Sequence, residues 1–67
     1  MLILSRRTNE KIIIGANAEI IITILEDKFH RHQHPIRIGI EADENIPINR
    51  AEIYYRLKAE EKYADKN

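Results

Sequence analysis

A chain of 67 residues without cysteine forms one small domain that no disulfide can staple, and a compact monomer of this length buries only ~60% of its unfolded surface. Eleven Lys and Arg balance eleven Asp and Glu, so no overall field draws the chain onto a polyanion, and any contact with nucleic acid has to be local. The apolar run at residues 1–4 stops at Ser5 and Arg6, too short for a signal-peptide core or a membrane span, so a cytoplasmic protein without membrane contact is expected.

The aliphatic residues of 1–7 suit a pleated surface and predict the first strand. Thr8-Asn9 turns the chain, since Asn tolerates a positive φ, and a second strand follows over 10–14. Gly15-Ala16-Asn17 breaks the ladder. Residues 19–26 contain Ile20-Ile21-Ile22-Thr23-Ile24-Leu25, apolar on both faces, which predicts a central strand covered on both sides, with Glu19, Glu26 and Asp27 as gatekeepers against aggregation. Beyond the polar stretch 27–35, Ile36, Ile38 and Ile40 alternate with Arg37, Gly39 and Glu41 in a half-buried fourth strand, where Gly39 admits a close neighbour. Asp43-Glu44-Asn45 turns into a short fifth strand over 46–48, marked as an edge by Pro47, which cannot donate to a ladder.

Asn49 suits an N-cap and Glu52 stands three residues on, so a capping box opens a helix over 50–62, with Ile53, Leu57 and Tyr54 along its apolar stripe. The sum is a mainly β fold of five short strands plus one C-terminal α-helix, a single domain over 1–62, with a disordered polar tail over 63–67. Fourteen isoleucines and no valine are more aliphatic β-former than one small sheet can hide, so a homo-oligomer is expected.

Two segments join apolar alternation to arginines: Met1-Leu2-Ile3-Leu4-Ser5-Arg6-Arg7, and Ile46-Pro47-Ile48-Asn49-Arg50-Ala51-Glu52. Arg6, Arg7 and Arg50 offer planar, permanent donors suited to phosphates and base edges. Arg50 opposes the dipole at a helix N-terminus, which raises the odds that it has another task. Taken with Ile14-Gly15, Ile36-Arg37-Ile38-Gly39-Ile40 and Asn49-Arg50-Ala51-Glu52-Ile53-Tyr54-Tyr55-Arg56, these segments resemble the bacterial carbon-storage regulator family, CsrA/RsmA, from Met1 to about Glu60.

The resemblance implies an interlocked, strand-exchanged homodimer, in which the first and last strands of one chain lie beside strands of the other. It implies RNA sites made by the first strand of one protomer and the junction of fifth strand and helix of the other. Those sites bind GGA in hairpin loops of mRNA leaders, represse translation initiation or alter transcript stability, and are titrated by small regulatory RNAs. By position the family's RNA-contacting residues fall on Leu4, Ser5, Arg6, Arg7 and Arg50, and Ile46, Ile48 and Asn49 complete the expected RNA-binding set. Glu52 has two readings, an aid to Arg50 or a capping residue, and capping alone accounts for it. Asp43 and Glu44 add negative charge where RNA phosphate would pass, and Pro47 removes an N–H; Asn9 replaces a glycine common in the family, and Asn49 a histidine.

His30, His32 and His34 alternate, but same-side Cβ atoms of a strand are ~7 Å apart, too wide for one ion without a turn, so neither a metal nor another cofactor is expected. Ser5 is the only serine and no phosphate-cradling glycine loop exists, so no enzyme is expected. The alternative to an RNA regulator is a protein-interaction module, a swapped β-dimer that binds a protein antagonist. A DNA-binding protein is disfavoured by neutral charge and the lack of a recognition helix.

Overall fold

Six elements follow one another: β1 (Leu2–Arg6), β2 (Lys11–Ile14), β3 (Ile20–Thr23), β4 (Ile36–Ile40), β5 (Ile48–Arg50) and α1 (Ala51–Ala64). The computed structural model describes residues 1–26 and 34–64. The mainly β order with one C-terminal helix is the one expected. Of the histidine cluster, His30 and His32 lie outside the described residues; of the polar tail, 65–67 do, while Tyr63 and Ala64 continue the helix.

The strands form two sheets. β1 pairs antiparallel with β4, from Leu2 opposite Ile40 to Arg6 opposite Ile36. β2 lies between β3 and β5, antiparallel to both. Successive side chains of a strand point to opposite faces, and Ile12 and Ile13 are 0% and 1% exposed, so β2 is the strand covered on both sides. The central position expected for β3 is therefore corrected. β3 is an edge, and its Ile20 and Ile21 are 55% and 51% exposed. An apolar run signals that both faces suit apolar contact, but strand order decides which run receives neighbours on both edges.

Turn chemistry explains the division into sheets. Glu10 N–H donates to the Arg7 carbonyl at 3.0 Å, and Asn9 takes φ 68°, the conformation anticipated for it. The Glu10 carboxylate also accepts from Arg7 N–H at 2.6 Å. This turn is not a hairpin: β1 leaves for β4, while Asn9 N–H and Ile24 N–H extend the β2–β3 edge by bonds of 2.6 Å to the Ile24 carbonyl and 3.0 Å to the Glu10 carbonyl. Gly15, at φ 99°, closes the β2–β3 loop in a conformation that side chains resist, and an added Cβ would run into the Glu19 carboxylate.

The fifth strand begins two residues later than expected. Ile46 N–H donates to the Asp43 carbonyl at 3.0 Å and closes a turn over 43–46, while Pro47 has no N–H for the ladder. Its carbonyl still accepts from Gly15 N–H at 2.8 Å, which anchors the edge position its ring predicted. Asn49 consequently lies in β5 opposite Ile13 rather than capping a helix, and α1 starts at Ala51. On α1, Ile53 and Tyr54 are half-buried and Leu57 is exposed. No helix among the described residues is long and apolar enough to cross a membrane.

The chain exposes 5701 Å², about 1,300 Å² more than a compact monomer of its mass would show. Ile12→Ala should cost ~2–5 kcal/mol in chemical denaturation, and the half-exposed Ile20→Ala less than half of that. Equal losses would mean that the outer surface of β3 is covered in solution.

Candidate nucleic-acid interface

From Ile3 onward, burial alternates along β1 and into Arg7. Leu4 and Arg6 are buried, whereas Ile3, Ser5 and Arg7 are exposed. Cross-strand partners share a face, and the β1–β4 register sets Ser5 opposite Arg37 and Ile3 opposite Gly39. The exposed Arg37 thus joins Ser5 and Arg7 on one outward surface. Arg37 was missed as a binding candidate, because its signal is not local: it appears only once β4 is known to pair with β1. The second edge of β1 has no strand partner among the described residues, so its backbone donors and acceptors on that side are unclaimed by a ladder.

Arg6 lies on the inward face of β1. Its side chain is 4% exposed, and its two Nη atoms donate to the two oxygens of Glu52, each at 2.8 Å. Glu10 lies 3.6 Å from Nη2, and the buried Nε has no partner. A guanidinium committed in this way to a carboxylate of its own chain is not presented to a phosphate. The capping role of Glu52 is corrected. Its carboxylate reaches across to β1 instead of back to the residues before the helix, so the capping box does not form among the described residues.

The hydrogen bonds from Arg6 foremost, then one from its own backbone N–H, hold the Glu52 carboxyl down to about 2, against desolvation and with help from the charges of Arg6 and Arg50. The same hydrogen bond raises Arg6 above its ordinary range, against the opposing effect of burial.

β5 divides its residues between two faces. Ile48 and Arg50, opposite Ile14 and Ile12, share one face; Asn49 takes the other, where it lines a cleft with Gly15, Pro47, Tyr54 and Leu57. Arg50 is half-buried, and among the described residues no carboxylate lies within ion-pair distance of it. Ile46, Asp43, Glu44 and Pro47 are exposed in the segment before β5. The structure therefore joins β1 to the start of α1 through Arg6 and Glu52, gathers Ser5, Arg7 and Arg37 outside, and turns Leu4 and Asn49 away from that surface. No group of metal-ligating side chains occurs among the described residues.

A family model described as a global regulator protein family, CsrA, matches residues 1–59. The translational regulator CsrA of Leptospira biflexa is 36% identical over 64 residues, which cover 96% of this chain and 73% of that protein. That of Alkaliphilus metalliredigens is 41% identical over 64 residues, 96% of this chain and 77% of its own length. That of Borrelia hermsii is 47% identical over 70 aligned positions, covering all of this chain and 82% of the relative. No solved structure matches the chain.

A carboxyl lowered by folding contributes stability that is complete above its unfolded value, ordinarily 4.5, and disappears as pH falls toward about 2. Wild type should therefore be more stable than Glu52→Gln near neutral pH, with the gap closing across that acid window in thermal melts. A gap independent of pH would show that Arg6 does not favour the ionised carboxylate.

Proposed function

The chain belongs to the CsrA family of global regulator proteins, and from that premise we propose that it is an RNA-binding post-transcriptional regulator. It takes GGA bases in hairpin loops of mRNA leaders and thereby represses translation initiation or alters transcript stability. The observation that carries this function is the free edge of β1, flanked by Ser5, Arg7 and Arg37 and tied through Arg6 and Glu52 to the junction that bears Arg50. Single-stranded RNA is read on the Watson–Crick edges of splayed bases, and an unpaired strand edge supplies donors and acceptors at the required spacing.

The geometry distributes the roles. Arg50 is suited to a bidentate contact with guanine O6 and N7, worth ~1–3 kcal/mol of discrimination. Ile48, on the same face as Arg50, and the exposed Ile46 supply apolar contact to base faces; Arg7 and Arg37 hold phosphates, and Ser5 bonds a base or phosphate. Leu4 supports β1 from beneath, and Asn49 supports β5 from the opposite face. Activity rests on binding rather than catalysis and needs no cofactor. Partners are mRNA and small regulatory RNAs in the cytoplasm.

The active form is a homodimer made by strand exchange. Within one chain β1 pairs with β4 and β5 with β2; two chains can make the same registers between them without losing a ladder bond, which keeps exchange inexpensive. Excess exposed surface and the outward Ile20 and Ile21 favour it. Exposed Asp43 and Glu44 beside β5, with exposed Tyr55 and Leu57 on α1, favour the second reading, a protein antagonist as the main partner.

Titration against a hairpin carrying GGA in its loop, and against one altered only there, should show tight binding that is lost with the altered loop and with Arg50→Ala. The salt dependence should be shallow, about −0.7 in log–log slope per phosphate contact. Equal weak binding to both hairpins would overturn RNA recognition and favour the protein partner. Sedimentation should give twice the 7.9 kDa of one chain, for Arg50→Ala as for wild type.

A further inference from the structure

Arg50 carries the proposed base contact, yet a carboxylate stands only two residues beyond it, at Glu52. The Glu52 side chain is 59% exposed, and the charge of Arg50 acts on its carboxyl. A carboxylate so near a guanidinium competes with guanine and phosphate for the same donors. Both of its oxygens are instead occupied by Arg6, at 2.8 Å each, from a position inside the protein.

We infer that Arg6 is a positioning residue that sequesters Glu52, and so keeps Arg50 available to RNA. The inference rests on the RNA-binding function proposed above. Arg6 touches no RNA in this arrangement; it acts through the carboxylate it holds. Its geometry suits that task better than a direct contact. The guanidinium is covered, its Nε has no partner, and its two Nη atoms match the spacing of the carboxylate oxygens in the parallel, two-bond form that arginine favours. Glu10, 3.6 Å from Nη2, helps keep the cation in place from the turn after β1. Lysine has one ammonium and cannot span both oxygens in this way.

Removal of Arg6 releases Glu52 onto Arg50. The loss of affinity is then caused by a surviving carboxylate rather than by a missing contact, and a second substitution should reverse it. Arg6→Gln is expected to weaken binding to the GGA hairpin by about 2- to 5-fold, the scale of an exposed ion pair that must be broken first. Arg6→Gln combined with Glu52→Gln is expected to bind more tightly than Arg6→Gln alone and to regain the wild-type affinity, because the competitor is gone along with its keeper.

Thermal stability supplies a second readout. The double variant lacks the clasp just as the single variant does, so its melting temperature stays low while its affinity returns. A double variant as weak as Arg6→Gln would overturn the inference, since a direct contact or a purely structural clasp predicts no rescue. Failure of the RNA function has a different signature: wild type itself would then fail to distinguish the two hairpins. In that event the sequestration is tested without RNA, by NMR titration of the Glu52 carboxyl in Arg6→Gln. Its pKa should rise when Arg50→Gln is added; an unchanged value would show that Glu52 does not turn to Arg50, and would overturn the inference.

Discussion

The clasp between Arg6 and Glu52 holds together parts that strand pairing leaves separate. Among the described residues β1 pairs only with β4, and β2 only with β3 and β5, so the two sheets share no ladder. One guanidinium reaches from β1 to the first turn of α1 and makes two hydrogen bonds of 2.8 Å there. A small chain has few other means of fixing such a relation. Among the described residues the buried apolar side chains are Leu4, Ile12 and Ile13, and apolar contact among so few groups is not directional. A bidentate pair is directional, and a covered arginine needs its carboxylate, because an unpaired buried charge is strongly unfavourable.

That constraint gives the putting-together of charges a logic that net charge conceals. The whole chain is neutral, but its cations are not equivalent. Arg6 is turned inward and neutralised, whereas Arg7 and Arg37 stand on the outer surface of the β1–β4 pair. Arg50 ends β5 beside a carboxylate already claimed by another arginine. Recognition of RNA by a neutral protein depends on such local arrangement, since net charge supplies no long-range attraction. The acidic turn before β5 is the counterweight, and it confines the favourable surface to β1, β4 and the end of β5.

The same strands that make the surface also leave apolar area uncovered. Among the described residues β3 is an edge with isoleucines facing outward, and the outer edge of β1 has no strand partner. Open strand edges are a liability for aggregation unless a specific partner takes them. In the function proposed above, a second copy that exchanges β1 and β5 would answer the apolar excess, and RNA would answer the open edge of β1. The tight turn at Asn9 is compatible with either arrangement, because it directs β1 and β2 into different sheets from the outset.

Much of this was legible in the residues alone, and the limits follow from the range of the forces involved. Alternation at Ile36, Ile38 and Ile40, the positive φ of Asn9, the break at Gly15 and the edge position next to Pro47 are local consequences of pleat geometry and backbone sterics, so the sequence by itself determined five strands, a helix and their order. The ordered set of segments at residues 1–7, 14–15, 36–40 and 49–56 likewise pointed to the family, because their order and spacing along the chain are sequence properties. Strand adjacency was decided only in three dimensions. β2 rather than β3 became central because pairing partners come from distant parts of the chain, and Arg37 reached the binding surface through its register with Ser5. The fate of Arg6 and Glu52 was decided there too. Both charges suit solvent, a cap or a phosphate when read one at a time; 46 positions apart, they become a pair only when folding brings them within hydrogen-bond distance.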